Sequence, residues 1–216
     1  MTNNQPVVYC SLHTLTDRFD MPRPANPDIR NRLLAEGGRV IHSSGFNGSG
    51  VQDIVAAAGV PKGSFYSYFD SKEAFAAEVL EAYWSSIEER HGKVMYDARI
   101  KPLARIEKLF ELLIEDHEAQ EFKLGCLVGN LSLELSNTSS EVRTALEGIL
   151  TRWESMIRAC LDEAKMRQEL ATDCDPAQLG SVIIEAWEGA VLRSKIERNG
   201  DACRRFQQVT LKRLLY

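Results

Sequence analysis

Apolar side chains recur at helical spacing along almost the whole chain after residue 26. The first stretch places Ile29, Leu33 and Ile41 on one face, and Gly45 follows as a residue suited to end the helix. Alternating polar and apolar runs, which half-buried strands require, are nearly absent. The pattern predicts an all-α fold with about nine helices. After three N-terminal helices, a longer one is predicted behind a cap at Asp70 or Ser71. More helices follow at Leu103–Glu118, Cys126–Leu135, Glu141–Lys165, Pro176–Glu197 and Ala202–Leu214.

The domain organisation follows from where this periodicity starts and changes. Prolines interrupt residues 1–26, which sustain no period, so we expect a poorly ordered extension there. An N-terminal domain is predicted over residues 27–86, with a helix-turn-helix at 49–68, and a C-terminal helical domain over 87–216. No flexible linker separates the two, so we expect them to share the fourth helix.

Composition and charge narrow the class of protein. The net charge is −5, and residues 1–75 are neutral with seven basic and seven acidic side chains, which argues against a globally basic nucleic-acid binder. No apolar run is long enough to span a membrane and no secretory signal is visible, so the expected compartment is the cytoplasm. The five cysteines are odd in number and widely spaced, which favours reduced thiols. We expect neither a metal nor a cofactor.

Residues 46–75 carry the clearest functional signal. Two short helices separated by a glycine-containing turn have the geometry of a helix-turn-helix, whose second helix can place its first residues against base edges in the major groove. Cations and hydroxyl groups there suit phosphate oxygens and base edges. A purely structural helical hairpin is the alternative interpretation. The residues offering this chemistry are Lys62, Ser64, Tyr66, Ser67, Tyr68 and Lys72.

The run GFNGSGVQDIVAAAGVPKGSFYSYFDSKE, residues 45–73, closely resembles the N-terminal helix-turn-helix of TetR-family transcriptional regulators. The resemblance implies an all-helical homodimer that binds a palindromic DNA operator and is released by a small ligand. By position, the resemblance implies that Ser49 contacts a DNA phosphate and that Tyr68 and Lys72 contact the DNA backbone. It also implies a recognition surface made of Lys62, Gly63, Ser64, Tyr66 and Ser67.

A second patch lies in the C-terminal half. The runs GCLVGNL (125–131) and AWEGAVLRSK (186–195) look like the ligand domain of TetR-type repressors that control reductases and acrylate- or N-ethylmaleimide-type detoxification. Cys126 near a helix N-terminus is expected to have a lowered pKa and to react with electrophiles or oxidants. Glu188 and Lys195 share one helical face, which could place Lys195 opposite Cys126. The alternative is that Cys126 is a small buried apolar residue.

The two long C-terminal helices also suggest a dimer interface. Small residues allow helices to approach closely, and tryptophan is enriched where interfaces bury area. Two such helices from each protomer would make a symmetric four-helix contact, although both could instead close the core of the monomer. The predicted interface residues are Trp153, Ile157, Val182, Ala186, Trp187, Gly189 and Ala190.

Together these patterns predict a DNA-binding transcriptional regulator rather than an enzyme. We expect a repressor that leaves its operator when a small ligand binds or when an electrophile or oxidant modifies Cys126. Two alternatives remain from other classes. One is a helical enzyme that uses Cys126 as its nucleophile, although no convincing base partners it. The other is a helical interaction module that binds no DNA.

Overall fold

The structure, a computed structural model, describes residues 26–216, so all but the last residue of the predicted extension lies outside the described part. Within that part the chain forms nine helices and no strand, which confirms the predicted fold class. Helix α1 covers 27–44, with a π-helical turn at Leu33–Gly37, and α9 covers 201–215, with another at Phe206–Leu211. Between them lie α2 (Val51–Ala58), α3 (Lys62–Phe65), α4 (Lys72–His91), α5 (Pro102–Ala119), α6 (Leu127–Leu135), α7 (Ser140–Met166) and α8 (Pro176–Glu197).

Local chemistry sets the ends of the N-terminal helices. The Asn26 side chain accepts a hydrogen bond from the backbone of Asp28, and the Ser71 hydroxyl accepts one from Ala74 N at 2.9 Å, so both cap their helices. Gly45 (φ 81°) and Gly59 (φ 62°) adopt backbone conformations that other residues rarely reach, which stops α1 and α2. Capping side chains and glycines therefore set where these helices begin and end.

A cluster of aromatic rings holds the helix-turn-helix together. Phe65 of α3 and Phe69 after it pack against Phe75 of α4, with ring centroids 5.3 Å and 4.9 Å from that ring. Ile54 of α2 and Leu33 of α1 are fully buried beside them. Burial of each large side chain contributes roughly 1.5–3 kcal/mol, so this cluster fixes the short α3, which could not be stable alone.

The C-terminal helices surround a larger core that α4 also enters. Trp84 of α4 lies 5.2 Å from Trp153 of α7, measured between ring centroids. Arg105 of α5, almost fully buried, donates to Glu163 of α7 at 2.7 Å and so ties those helices together. Because α4 contributes to both cores, it is the shared helix expected from the sequence, while the domain limits remain a prediction. No helix in residues 26–216 is long and apolar enough to cross a membrane.

Candidate functional site

The short helix α3 presents a polar surface to solvent. Phe65 is buried and anchors α3 to the core, while Lys62, Gly63, Tyr66 and Ser67 are exposed. Tyr66 is 60% exposed, an unusual position for a large aromatic side chain in a well-packed domain. An added Cβ at Gly63 would meet no atom of residues 26–216 within 4 Å, so the space in front of Gly63 is open in the part of the chain that the structure describes. Ser64 and Tyr68 are half-buried at the edge of this surface.

Three residues predicted to contact phosphate make hydrogen bonds within the chain. The ammonium group of Lys72 donates to the backbone carbonyls of Phe46 and Ser49 and lies 3.9 Å from the centre of the Phe46 ring. Partial burial lowers the pKa of Lys72. Ser49 is buried, and its hydroxyl donates to Gly45 O at 2.8 Å. Tyr68 accepts from the backbone of Asn26 at 2.9 Å.

The phosphate contacts of Ser49 and Lys72 stay predictions, and the structure adds to them these contacts within the chain. The N-cap of α2 is Gly50, and the Asp53 carboxylate accepts from Gly50 N at 2.7 Å. Lys72 links the start of α4 to the loop between α1 and α2, so its charge is already partnered within the chain. The contacts were not foreseeable from sequence, because the partners of Lys72 are backbone carbonyls more than twenty residues away.

A polar contact joins the helix-turn-helix to the C-terminal helices, and sequence reasoning did not find it. Both carboxylate oxygens of Glu134, near the end of α6, accept from the loop after α1: from Phe46 N at 3.1 Å and Asn47 N at 2.8 Å. His42 Nε2 donates to Gly125 O at 2.9 Å. Burial lowers the pKa of His42, which keeps its ring neutral. The loop that precedes α2 is thus bonded directly to α6.

A cavity of about 440 Å³ opens between α6, α7 and α8. Cys126, the N-cap of α6, lies in its wall together with Glu188 and Lys195 of α8, so the structure brings the three predicted sensor residues to one cavity. Most of the remaining wall is apolar or small. It includes Val128, Gly129, Leu133, Leu150, Ile184, Gly189, Val191 and Leu192, with Glu154 and Glu185 as further carboxylates.

The Cys126 thiol is not an activated thiolate. It is 7% exposed, and burial raises its pKa well above the usual value, with the charge of Glu188 as the second cause. This corrects the expected lowering, because desolvation outweighs the backbone N–H groups at the start of α6. The phenol of Tyr83 lies 4.0 Å from the sulfur. Behind Cys126 is a second, small cavity, whose wall includes Trp84, Trp153 and Trp187.

Glu188 and Lys195 are not paired with each other. Burial raises the pKa of Glu188 to about 6, and its Oε1 atom has no hydrogen-bond partner in the described part of the chain. Lys195 Nζ donates instead to Asn130 Oδ1 at 2.9 Å, and Asn130 donates to Leu124 O. Lys195 is thus bonded to Asn130 within α6, and it is not among the groups that shift the pKa of Cys126.

The predicted dimer residues separate into two groups. Trp153, Ile157 and Trp187 are at most 3% exposed within one chain, so they are core residues and offer no surface to a partner. This corrects their assignment, since apolar periodicity identifies a buried face without saying what buries it. The other four share a surface strip of α8, beside a groove whose far side is α9 with the exposed Val209. They are Val182, Ala186, Gly189 and Ala190.

Comparison with known proteins decides the family. The family description "Bacterial regulatory proteins, tetR family" matches residues 33–79, and "Tetracyclin repressor-like, C-terminal domain" matches residues 102–210. The chain belongs to the TetR family. Two relatives are the HTH-type transcriptional repressor DhaR of Mycobacterium sp. (strain GP1), 39% identical over 88% of this chain and 94% of that protein, and the transcriptional regulator AcuR of Cereibacter sphaeroides, 37% identical over 88% and 87%.

Solved structures agree with this TetR-family assignment. A regulatory protein TetR from Rhodobacter sphaeroides superposes with a TM-score of 0.81 at 34% identity, over 87% of this chain and 99% of that one. The reduced form of Escherichia coli NemR gives 0.75 at 28% identity, over 88% and 98%. These findings make the protein a DNA-binding transcriptional regulator of the helix-turn-helix type.

Proposed function

We propose that the protein is a homodimeric repressor that leaves a palindromic operator when a small molecule occupies or modifies the cavity at Cys126. The observation that carries the proposal is the direct bonding between α6, which begins beside Cys126, and the loop before α2 through Glu134. A chemical event at one end of α6 can therefore move the DNA-reading helices. Its partner is double-stranded DNA, so we place the regulator in the cytoplasm with the chromosome.

Recognition of DNA is assigned to the exposed surface of α3. Tyr66 and Ser67 offer hydroxyl groups, Lys62 offers a cation, and Gly63 allows the backbone to approach closely. Each protomer would place one α3 in a major groove, and half-sites would lie about 34–36 Å apart. Ser64 and Tyr68 lie at the rim, where they can reach the phosphate backbone.

Dimerisation is assigned to the strip on α8 that includes Val182, Ala186, Gly189 and Ala190, with Val209 of α9 beside it. Small side chains there permit two copies of α8 to cross closely, and the same patch on each protomer satisfies two-fold symmetry. Gly189 also lines the cavity, so the signal and the interface share one residue of α8.

The signal is assigned to a small, largely apolar molecule, either a reversible ligand or an electrophile that modifies Cys126. The cavity has the size expected for such compounds. Only a molecule that favours one conformation of the regulator can shift its affinity for DNA. Binding at Cys126 would favour a position of α6 that pulls on the Glu134 contact and changes the separation of the two α3 helices.

The test is binding to labelled DNA from upstream of the regulator's own gene, followed by fluorescence anisotropy at a fixed, stated salt concentration. Wild type, Cys126→Ser and the matched control Cys174→Ser are each measured with and without methyl vinyl ketone. We expect tight binding by all three, and release by the ketone in wild type and the control but not in Cys126→Ser. Release of all three would remove Cys126 from the mechanism, and no binding to the DNA would contradict the assignment to that operator.

A further inference from the structure

Glu188 carries a carboxylate that is largely enclosed by the cavity wall and has one oxygen without a partner. It projects from α8 into the cavity wall, and its Oε1 atom has no hydrogen-bond partner in the part of the chain that the structure describes. A Cβ added to Gly129 would lie 2.5 Å from its other oxygen, so the carboxylate rests directly on the backbone of α6. Lys195, the cation on the same face, is bonded to Asn130 instead. A buried, unpartnered carboxylate is costly, which calls for a functional explanation.

The neighbour of this carboxylate is the Cys126 thiol. The two groups are close enough that each changes the pKa of the other, and both line the cavity. The thiol is neutral at physiological pH, because burial and the Glu188 charge both oppose its ionisation. A neutral thiol is a poor nucleophile. A base inside the cavity that takes its proton would therefore speed a reaction at Cys126 near neutral pH.

We propose that Glu188 accepts the thiol proton of Cys126 as the sulfur adds to an uncharged α,β-unsaturated carbonyl compound in the cavity. This inference rests on the proposed function and names the class of its signal and a second residue that the reaction requires. An uncharged compound suits the cavity because Glu154 and Glu185 line it along with Glu188. These three carboxylates face one cation, Lys195, whose ammonium group is bonded to Asn130, so an anion is disfavoured.

The step balances without any further reactant. The S–H bond breaks and its proton passes to the Glu188 carboxylate, while the sulfur electron pair forms a bond to the β-carbon of the alkene. The π electrons move onto the carbonyl oxygen as an enolate. The α-carbon then takes a proton back from the Glu188 carboxylic acid, so Glu188 returns to its carboxylate form and the adduct is a thioether. The Tyr83 hydroxyl, 4.0 Å from the sulfur, can stabilise charge that develops on it.

Other groups around the pair are less suited to this role. His117 of α5 lines the small cavity behind Cys126, but burial lowers its pKa to about 4, which makes it a weak base near neutral pH. Lys195 is a cation and bonded elsewhere. The titratable groups that face the pair are Tyr83 on α4, His117 on α5, Glu154 on α7, Glu185 and Lys195 on α8 and Cys203 on α9, with His42 of α1 behind His117.

The test is the rate at which methyl vinyl ketone forms an adduct on the Cys126 peptide of the full-length protein, followed by mass spectrometry. Wild type is compared with Glu188→Gln from about pH 5 to about pH 8, and the matched control is Glu107→Gln, which alters another carboxyl group with a buried, unpartnered oxygen. We expect Glu188→Gln to react roughly 100-fold more slowly near neutral pH. The wild-type rate should rise with pH through the pKa of Glu188, about 6, and then level off.

In Glu188→Gln the plateau should disappear, and the rate should follow only the ionisation of the thiol at higher pH. Gly129→Ala provides a second variant that keeps the carboxyl group but displaces it, and we expect its reaction to slow by at least about 10-fold. A wild-type rate and plateau in Glu188→Gln would overturn the role of Glu188 while leaving Cys126 as the sensor. No adduct on Cys126 in wild type would overturn the covalent signal itself.

Discussion

The contact between Glu134 and the loop after α1 gives the most direct test of how the two parts communicate. Replacing Glu134 with alanine removes two hydrogen bonds from backbone N–H groups to a carboxylate, at 3.1 Å and 2.8 Å. Hydrogen bonds to charged groups contribute about 1.5–3 kcal/mol each when shielded from water. Glu134 is half-buried, so we expect about 2 kcal/mol for the pair and a melting temperature about 4–8 °C lower.

The effect on regulation should exceed the effect on folding. If α6 transmits the signal through Glu134, the alanine variant should still bind operator DNA, but addition of methyl vinyl ketone should weaken that binding less. A coupling loss of about 1.4 kcal/mol would reduce the ratio of DNA affinities without and with the ketone by about 10-fold. Both affinities are measured by fluorescence anisotropy on the same operator and at the same salt concentration.

Glu147→Ala on the exposed face of α7 is the control, since its side chain lies outside the contact between the two parts. Glu134→Gln should fall between wild type and alanine, because it keeps one acceptor oxygen. If Glu134→Ala released DNA with the wild-type ratio after adduct formation on Cys126, the signal would not pass through this contact, and the reasoning from α6 would be wrong.

Three further outcomes are expected. Gly63→Ala should raise the unfolding free energy by up to about 1 kcal/mol, because the added methyl meets nothing, yet weaken operator binding in anisotropy; unchanged binding would move α3 away from DNA. Val182→Glu should weaken the dimer by at least about 10-fold in sedimentation, and an intact dimer would place the interface elsewhere. Burial raises the pKa of Glu188 from 4.5 to about 6, so the folded protein binds this proton more tightly than the unfolded chain does. The stability that this proton contributes is complete below pH 4.5 and is lost as the pH rises through 6. Glu188→Gln should therefore be more stable than wild type by about 2 kcal/mol at neutral pH in urea denaturation, and by little at pH 4.

Much of the fold could be predicted from sequence because its determinants are local. Helical periodicity, the cap at Ser71 and the glycines at 45 and 59 act within a few residues, and the structure has each of them. The exposed surface of α3 was predictable for the same reason. Trp153 and Trp187 were misassigned because periodicity cannot distinguish a helix face buried by its own chain from one buried by a partner.

The residues that line the candidate site were predicted from the sequence, but the direction of the pKa shift of its thiol was not. Cys126, Glu188 and Lys195 do line one cavity, yet the sign of the Cys126 pKa shift depends on burial among residues distant in sequence. Lys72 and Glu134 show the same limit. Their partners are backbone groups of one loop, 26 and 88 residues away at Phe46, and a single sequence carries no signal for such pairs.

The small cavity behind Cys126 also gives the protein a natural fluorescent reporter of this site. The chain has three tryptophans, and Trp84, Trp153 and Trp187 all line that cavity. Indole emission responds to local polarity and to quenching groups, so the tryptophan fluorescence of the protein originates beside the thiol. The surface of α3 carries no tryptophan and therefore adds nothing to the indole emission. A titration excited at the indole band would therefore follow events in the cavity without a label, while a dye on the DNA reports operator release in the same cuvette.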